Sequence, residues 1–358
     1  MLKNIVQKIN HNVKTDGLVY SKPFVMSMLL SESDKTCLNM ARTTLMSHDI
    51  LQRILSSGAN TIEELKSFLL SLALQYCNKP FAGYLIVDDT ALVKQFAKVF
   101  EGLSFVHDSA SSKVANGYKI VLICWTNKIV TIPINFQFWL PEEITMNQFK
   151  TKLEIAKQMI DELKNKIDFL AVLLDGLYAS DDMMSFFEAN GNVYYMRLPR
   201  NRRVRGEKDS IAFSIGSNIS FKLKKNFRQR TFVAFFGEIK RFVTAQKRKK
   251  RNGDYETVYI VSNHENKPEI TIEIYSIRWT IEKVIRTLKQ IMGLNDCKAR
   301  TLERQAVHIF SCMAGYGILE QIKYNHNLEC PEDAHKYLLD VKRNALKCRN
   351  FDLVNIFN

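Results

Sequence analysis

Acidic residues follow two apolar runs of this 358-residue sequence, at positions where carboxylates could bind a metal ion. Asp88 and Asp89 follow Tyr84–Val87, and Asp175 follows Phe169–Leu174. Apolar runs without alternation predict strands of a sheet covered on both faces. The ends of such strands open into the crevice where an α/β sheet binds its ligands. Either position alone is also compatible with a solvated turn aspartate.

A third acid, Glu282, lies in a stretch with helical spacing. On one continuous α-helix, with about 100° per residue, Tyr275, Arg278, Glu282 and Lys289 fall within a stripe about 60° wide. The apolar residues between them occupy other angles and can face a core. The stripe therefore concentrates one acid among cations. The alternative is an amphipathic helix with a chance Arg–Glu pair four residues apart.

The positive charge of the protein is concentrated in one segment. The chain carries 51 Lys and Arg against 37 Asp and Glu, a net charge of +14, and residues 196–251 hold 18 of these bases against three acids. Aromatic residues lie between the bases, which favours nucleic-acid contact over a solvated loop. For Lys247–Arg251 alone, a solvated loop is an equally good interpretation. The bases predicted to contact DNA here are Arg200, Arg202, Arg203, Lys247, Arg248, Lys249, Lys250 and Arg251.

Membrane and disulfide-rich classes receive little support. The longest mostly apolar run, Phe68–Tyr76, is far shorter than the roughly 20 residues of a membrane-spanning helix. The N-terminus lacks the apolar core and the cleavage site of a signal peptide. The seven cysteines are scattered and form no CxxC pair, so no zinc site or disulfide framework is indicated. We expect a reducing, cytoplasmic setting and no membrane partner.

Helix and strand patterns then indicate which elements position these residues. Residues 1–78 read as helical, and Thr61–Glu64 resembles a capping box that opens a helix. Gly117–Trp125 and Ile129–Ile134 are β-branched runs that predict a hairpin. Thr145–Ile167 has the spacing of an amphipathic helix. Strands, a helix and another strand in this order predict an α/β fold.

Three motifs resemble those of one enzyme family. The pattern Tyr-x2-Arg-x3-Glu-x6-Lys that begins at Tyr275 resembles the YREK signature of DDE transposases of the insertion-sequence-four type. Val87–Thr90 (VDDT) is similar to their first-aspartate motif, in which an acid precedes Thr, and Leu174–Tyr178 (LDGLY) is similar to their second. The resemblance covers about residues 80–325. The four-residue signature is fairly specific, whereas a bare set of three acids is not.

The resemblance implies a ribonuclease H-like fold, in which a mixed sheet is flanked by helices. A β-rich insertion interrupts the sheet, and both the N-terminal domain and the C-terminal region are helical. The implied divisions are a DNA-end-binding domain (1–78), the first part of the catalytic core (79–189), the basic insertion (190–270), the catalytic helix with the rest of the core (271–325) and a C-terminal tail (326–358).

The resemblance also implies a metal site. Asp89, Asp175 and Glu282 would be the catalytic residues and would bind two Mg²⁺ ions, with Mn²⁺ able to substitute. Oxygen ligands of this kind suit magnesium, and two ions can assist in-line attack on a phosphodiester. Successive residues on a strand point to opposite faces, so only one of Asp88 and Asp89 can be the ligand. The family motif favours Asp89, the acid before Thr90.

The implied partner is double-stranded DNA, both the transposon ends and the target. Tyr275, Arg278 and Lys289 would contact phosphates near the transposon end. Pairing two ends implies a homodimer. Relatives use a tryptophan of the insertion to stack on a flipped base, but this insertion contains none, since the tryptophans are at 125, 139 and 279.

Three functions are compatible with this sequence. The first is cut-and-paste transposition, in which the enzyme cleaves inverted-repeat ends and transfers strands into target DNA. The second is a ribonuclease H-like nuclease that cuts without joining. The third is a transposase-derived DNA-binding protein without catalytic activity. Intact acids and an uninterrupted signature favour the first.

Overall fold

The computed structural model describes residues 14–44, 46–77, 82–108, 112–145, 148–208, 210–217, 223, 228–250 and 252–347. The chain forms two compact units. Unit 1 comprises Met1–Phe81, Asp89–Ile155 and Glu282–Asn358, and unit 2 comprises Ala82–Asp88 and Ala156–Ile281. Two of the boundaries between the units, 88/89 and 281/282, fall directly before the predicted site residues Asp89 and Glu282.

The described residues of the segment 1–78 are mainly helical, as predicted, and residues 1–13, 45 and 78 of that segment lie outside the described part. The helices of this segment are α1 (Lys22–Leu30), α2 (Cys37–Thr44), α3 (His48–Leu55) and α4 (Ala59–Tyr76). The predicted capping box at Thr61 is wrong, because α4 already begins at Ala59 with Gly58 as its N-cap. Gly58 has a φ of 64°, a left-handed conformation that glycine adopts without a Cβ penalty.

The strands of unit 1 form an antiparallel array. The structure contains β1 (Gly83–Val93), β2 (Ser104–Asp108), β3 (Lys113–Thr126) and β4 (Thr131–Trp139). The predicted hairpin is confirmed, since β3 and β4 pair in antiparallel orientation. β3 also lies between β2 and β1 in the strand order. Helices α4 and, from the C-terminal part of the chain, α10 (Leu302–Asn325) pack against β4.

The helix predicted over Thr145–Ile167 is shorter than its pattern. A short helix, α5 (Glu142–Thr145), precedes α6 (Lys152–Leu163), and residues 146 and 147 lie outside the described part. The Thr151 side chain accepts from the Glu154 backbone N–H, and Glu154 Oε2 accepts from the Thr151 backbone N–H. This reciprocal pair is a capping box, which starts α6 later than the apolar spacing suggests.

Unit 2 is built on a mixed sheet. After β5 (Phe169–Leu174), a 3₁₀ turn (Gly176–Tyr178) and α7 (Asp181–Ala189) come β6 (Tyr194–Leu198), β7 (Arg203–Val204), β8 (Phe213–Ser214), β9 (Gln229–Phe236), β10 (Ile239–Lys249) and β11 (Tyr255–Ser262). The strand order is β1–β5–β6–β11–β10–β9, with β1, β5 and β6 parallel and the others antiparallel. Helix α8 (Pro268–Ser276) packs on β6, β9, β10 and β11.

Two helices replace the single predicted helix around the signature residues. Helix α8 ends at Ser276 and α9 (Trp279–Gln290) begins three residues later. Backbone hydrogen bonds from Arg278 to Tyr275 and from Ile281 to Arg278 span three residues, so the chain tightens into a 3₁₀-type turn. The stripe calculated for one continuous α-helix is therefore wrong. Tyr275 belongs to α8, Arg278 to the turn, and Glu282 to α9.

The C-terminal part of unit 1 contains α10 and α11 (Pro331–Lys347), which pack against each other. Among the helices that the structure describes, none has the length and hydrophobicity needed to cross a membrane. The fold class predicted from the sequence is confirmed. The chain has a large mixed sheet flanked by helices, consistent with a ribonuclease H-like fold.

Candidate active site

Acidic residues follow the last register partners of the parallel pair β1–β5. Val87 and Leu174 are those partners, and Asp88 and Asp175 are the next residues along the chain. Asp175 is half-buried and occupies the N-cap of the 3₁₀ turn, so the prediction that it follows a strand end is confirmed.

The prediction that Asp88 and Asp89 also end a strand is wrong. β1 continues to Val93, and the later residues Ala91 and Leu92 are buried. Apolar side chains on both sides of the two acids keep the strand in the sheet after its pairing with β5 has ended. The acids therefore lie within a regular strand, where their side chains point to opposite faces.

Asp88 is bound by the arginine of the predicted signature. Arg278 Nη1 donates to Asp88 Oδ2 at 3.1 Å, and Arg278 is only 6% exposed. Breaking a buried ion pair by removing one partner typically costs about 3–5 kcal/mol. Arg278 therefore has a structural role in unit 2, and its predicted contact with phosphate stays a prediction.

Asp89 is bound by two lysines that sequence reasoning missed. Its Oδ2 atom lies 2.8 Å from Lys152 Nζ and 3.3 Å from Lys119 Nζ. Burial lowers the pKa of Lys152, and Asp89 opposes this shift. The Lys152 ammonium also lies 5.6 Å from the centroid of the Trp139 ring. Two cations on one carboxylate oxygen show that this position attracts positive charge.

Tyr275 supports the end of β5. Its hydroxyl donates to the carbonyl of Leu174 at 3.3 Å, next to Asp175 in the chain. Burial raises the pKa of Tyr275 to about 12, so the phenol stays neutral. Only 8% of Tyr275 is exposed. The residue predicted to contact phosphate thus holds the backbone beside a predicted metal ligand.

Glu282 and Lys289 both lie on α9 and are half-buried. Seven residues correspond to nearly two helical turns, so the two side chains share a face of α9. Burial lowers the pKa of Lys289, and Asp108 opposes that shift. Within α9 the predicted pairing of an acid with a cation on one face is therefore retained, although Tyr275 and Arg278 lie outside this helix.

The three acids have the chemistry of a divalent-metal site, since carboxylate oxygens are the ligands that Mg²⁺ and Mn²⁺ prefer. Among the described residues, however, no group of three or more His, Cys, Asp or Glu side chains is arranged to hold a metal ion. Asp89, Asp175 and Glu282 therefore stay a predicted ligand set.

Trp279 links the basic segment to the signature residues within unit 2. The Arg248 guanidinium lies 5.3 Å from the centroid of the Trp279 ring, and that of Arg278 lies 5.5 Å from it. Trp279 is 44% exposed, so a large aromatic side chain with two cations reaches solvent. Trp279 directly follows Arg278 in the sequence, so an aromatic side chain beside the signature arginine was visible in the sequence although Trp279 lies outside the insertion.

The remaining predicted DNA-contacting bases differ in their surroundings. Arg200 is exposed. Arg203 is exposed too and donates to the carbonyl of Ala212 at 3.1 Å. Arg202 forms an ion pair with Asp181, which partly neutralises its charge. Arg200 and Arg203 are therefore better placed than Arg202 to meet a phosphate.

The run at the end of β10 is exposed to solvent. Lys247, Arg248, Lys249 and Lys250 are all exposed, and Lys247 Nζ lies 5.0 Å from the centroid of the Tyr255 ring. Arg251, the last base of the predicted run, lies outside the described residues. Successive side chains of a strand point to opposite faces, so both faces at this end of β10 carry positive charge that can contact a phosphate backbone.

Comparison with known proteins agrees with this site chemistry. Residues 20–214 match the family model of the DDE superfamily endonucleases, and residues 122–330 match that of the archaeal putative transposase ISC1217. No curated protein matches the chain. Each family model covers more than half of the chain. Enzymes of this superfamily generally use divalent metals, and transposases act on DNA. The chain therefore belongs to the DDE superfamily of endonucleases and transposases.

Proposed function

We propose that this protein is a DNA transposase that cleaves the inverted-repeat ends of its element and transfers the strands into target DNA. The supporting observation is the end of the β1–β5 pairing, where Asp88 and Asp89 follow the register partner Val87 and Asp175 follows its partner Leu174. Asp89, Asp175 and Glu282 are the proposed ligands of two Mg²⁺ ions. The signature residues favour a member of the insertion-sequence-four type.

The metal ions, when bound, activate an attacking water or 3′-hydroxyl and stabilise the leaving oxygen. The protein supplies position and charge. Arg278 fixes Asp88, and Tyr275 fixes the backbone before Asp175. Lys289 supplies a compact point charge for a phosphate. Each of these groups is held before DNA binds, so little ordering entropy remains for the reaction step.

The basic segment is the proposed track for the transposon end. Arg248 and Trp279 lie against each other, so a phosphate contact and an aromatic surface stand side by side. An exposed indole can stack on an unpaired base, and base stacking on aromatic side chains contributes about 1–3 kcal/mol per base. Trp279 thereby offers an indole platform, and the insertion itself contains no tryptophan.

The test is nicking of supercoiled DNA with Mg²⁺ or Mn²⁺. We expect Asp175→Asn and Glu282→Gln to reduce the nicking rate at least about 1,000-fold, equivalent to about 4 kcal/mol, while duplex affinity stays the same. Asp182→Asn is the matched control, because Asp182 is an exposed acid of α7 that pairs with Lys157. Retained nicking in Asp175→Asn or Glu282→Gln would remove that residue from the site.

Joining separates the possible functions. A transposase transfers a pre-cut end carrying a 3′-hydroxyl into target DNA, whereas a nuclease only nicks, and an inactive DNA-binding protein does neither. Mass measurement by light scattering on paired-end DNA tests the proposed homodimer. Nicking without joining under all metal conditions would replace the transposase proposal with the nuclease.

A further inference from the structure

Unit 1 contains a basic cleft that none of the three proposed metal ligands lines. Its volume is about 580 Å³, and it is lined by residues of α2, α3, the segment 297–300 and the start of α10. We call it the α3–α10 cleft. None of its described lining residues is acidic, and the basic ones are Lys35, His48, Lys298, Arg300, Arg304 and His308. A cleft with this lining attracts anions.

The cations at its rim lack acidic partners. Lys298, Arg300 and Arg304 are exposed, and none of them forms an ion pair in the described part of the chain. Nearby acids are turned to other groups. Glu101 accepts from the Leu302 backbone N–H at 2.9 Å, and the carboxylate of Glu303 lies against Gly58. An anion in the cleft would therefore reduce the repulsion among unneutralised cations.

The helix at the cleft adds to this preference. Thr301 caps α10, and the helix is 24 residues long, with its N-terminal dipole end beside the three cations. Lys35 is 5% exposed, and its ammonium donates to the carbonyl of Ser31. Burial lowers the pKa of Lys35 to about 8, so most of its charge remains at pH 7. The cleft thus has a buried cation within it and exposed cations at the rim.

We propose that the α3–α10 cleft binds a backbone phosphate of duplex DNA and forms a second DNA contact, separate from the metal site. This inference rests on the proposed function, which makes DNA the partner. Arg can form a fork onto phosphate oxygens, and the rim offers two arginines and a lysine. The contact is to backbone only, so it anchors any sequence equally.

The test is the affinity of the full chain for a 30-base-pair duplex in EDTA, measured by fluorescence anisotropy over a KCl series. The cleft variant is Lys298→Gln/Arg300→Gln/Arg304→Gln. We expect at least a 10-fold loss of affinity at low salt and a smaller log–log salt slope, by about 0.9 for each phosphate that the variant no longer neutralises. The single variant Arg300→Glu should also lose duplex affinity. It provides a second measurement if the triple variant does not fold.

The control removes the same charge elsewhere in unit 1. Lys98, Lys336 and Arg343 are exposed and do not line the cleft, so Lys98→Gln/Lys336→Gln/Arg343→Gln should keep the wild-type slope within about 0.5. An equal loss of affinity in both triple variants would overturn the proposal, because net charge alone would explain it. An unchanged duplex affinity in the cleft variant and in Arg300→Glu would overturn it too.

Inorganic phosphate distinguishes a small-anion site from a DNA contact. If the cleft variant loses phosphate binding in titration calorimetry but binds the duplex normally, the proposal fails. The nicking assay separates this inference from the proposed function. Normal nicking with unchanged duplex binding by the cleft variant refutes only the cleft. If the wild-type protein never nicks DNA but the cleft variant still binds the duplex more weakly than the wild type, only the proposed enzymatic function is refuted.

Discussion

Arg241 belongs to the basic segment, yet we expect its loss to act on stability and to leave DNA affinity unchanged. Arg241 is 1% exposed. Its Nε donates to Glu188 Oε1 at 2.7 Å and its Nη2 to Glu188 Oε2 at 2.9 Å. The hydroxyl of Tyr194 donates to the same carboxylate at 3.0 Å. A group held in this way inside unit 2 cannot reach a phosphate.

The two partners of this pair should respond unequally to removal. Glu188→Leu removes both hydrogen-bonding oxygens from a permanently charged, buried guanidinium and leaves it only the exposed Asp181 carboxylate, 4.0 Å away, so we expect a loss of about 3–5 kcal/mol. The Glu188 side chain is 21% exposed, so Arg241→Met leaves a carboxylate that water can reach, and the loss should be about 1–3 kcal/mol. The double variant should recover at least half of the loss in Glu188→Leu, because apolar pairs often replace buried ion pairs well.

Thermal unfolding measures the effect of each variant on stability, and duplex affinity at fixed salt measures its effect on DNA binding. For unfolding of the whole 358-residue chain, the larger loss corresponds to a melting temperature lower by about 4–7 °C. Neutralising Lys247, Arg248, Lys249 and Lys250 should change DNA affinity rather than stability. It should weaken binding to every duplex and leave stability within about 0.5 kcal/mol. Reduced DNA affinity with unchanged stability in Arg241→Met would refute the reasoning, as would a double variant less stable than Glu188→Leu.

Two further predictions concern the metal site and acid stability. Asp89→Asn should abolish nicking, whereas Asp88→Asn should leave a measurable rate but lower stability through Arg278; the reverse order of activities would make Asp88 the ligand. Burial lowers the pKa of His308 to about 3, opposed by its hydrogen bond to Gly293. Below about pH 6.5 the unfolded chain binds the proton first, so stability should fall towards pH 3 by about 1.4 kcal/mol per pH unit. Urea unfolding of His308→Gln should show a shallower fall, and an equal slope would contradict this assignment.

Short apolar and β-branched runs in the sequence were sufficient to predict those strands whose residues are buried along the whole run. Phe169–Leu174 is an uninterrupted apolar run, and Asp175 follows it, so both the strand and its end were predictable. The hairpin of β3 and β4 followed from two β-branched runs with polar residues between them. The same reasoning failed for Asp88 and Asp89, because the strand continues through two acids that long-range partners stabilise.

Other features depend on tertiary contacts that leave no local pattern. No sequence spacing relates Asp89 to Lys119 or Lys152, since only the fold brings them together. The turn between α8 and α9 has no Gly or Pro to mark it, and its 3₁₀-type hydrogen bonds arise from packing. The count of Lys and Arg in residues 196–251 also included Arg241 as if it were exposed, although it is buried.

Alternation offered a signal for Arg241 that counting ignored. On β10, Arg241, Val243 and Ala245 occupy alternate positions and are all buried. Residues two apart on a strand share a face, so a base in line with Val and Ala predicts a buried cation that needs an acidic partner. The pattern cannot name that partner, because Glu188 lies in α7, far away in sequence.

The partners of the two adjacent acids favour Asp89 over Asp88 as the metal ligand. Asp88 holds a guanidinium whose side chain is 8% exposed, and a guanidinium cannot lose its proton to relieve the loss of its carboxylate. Withdrawing Asp88 would therefore remove a carboxylate that lies 3.1 Å from this buried charge. Asp89 holds two ammonium groups on flexible four-carbon stems, which can turn to other acceptors. Exchanging these ammonium groups for a metal ion costs less than breaking the Asp88–Arg278 pair. The acid with the replaceable partners is thus the better ligand, and Arg278 keeps the strand in place while its neighbour exchanges cations.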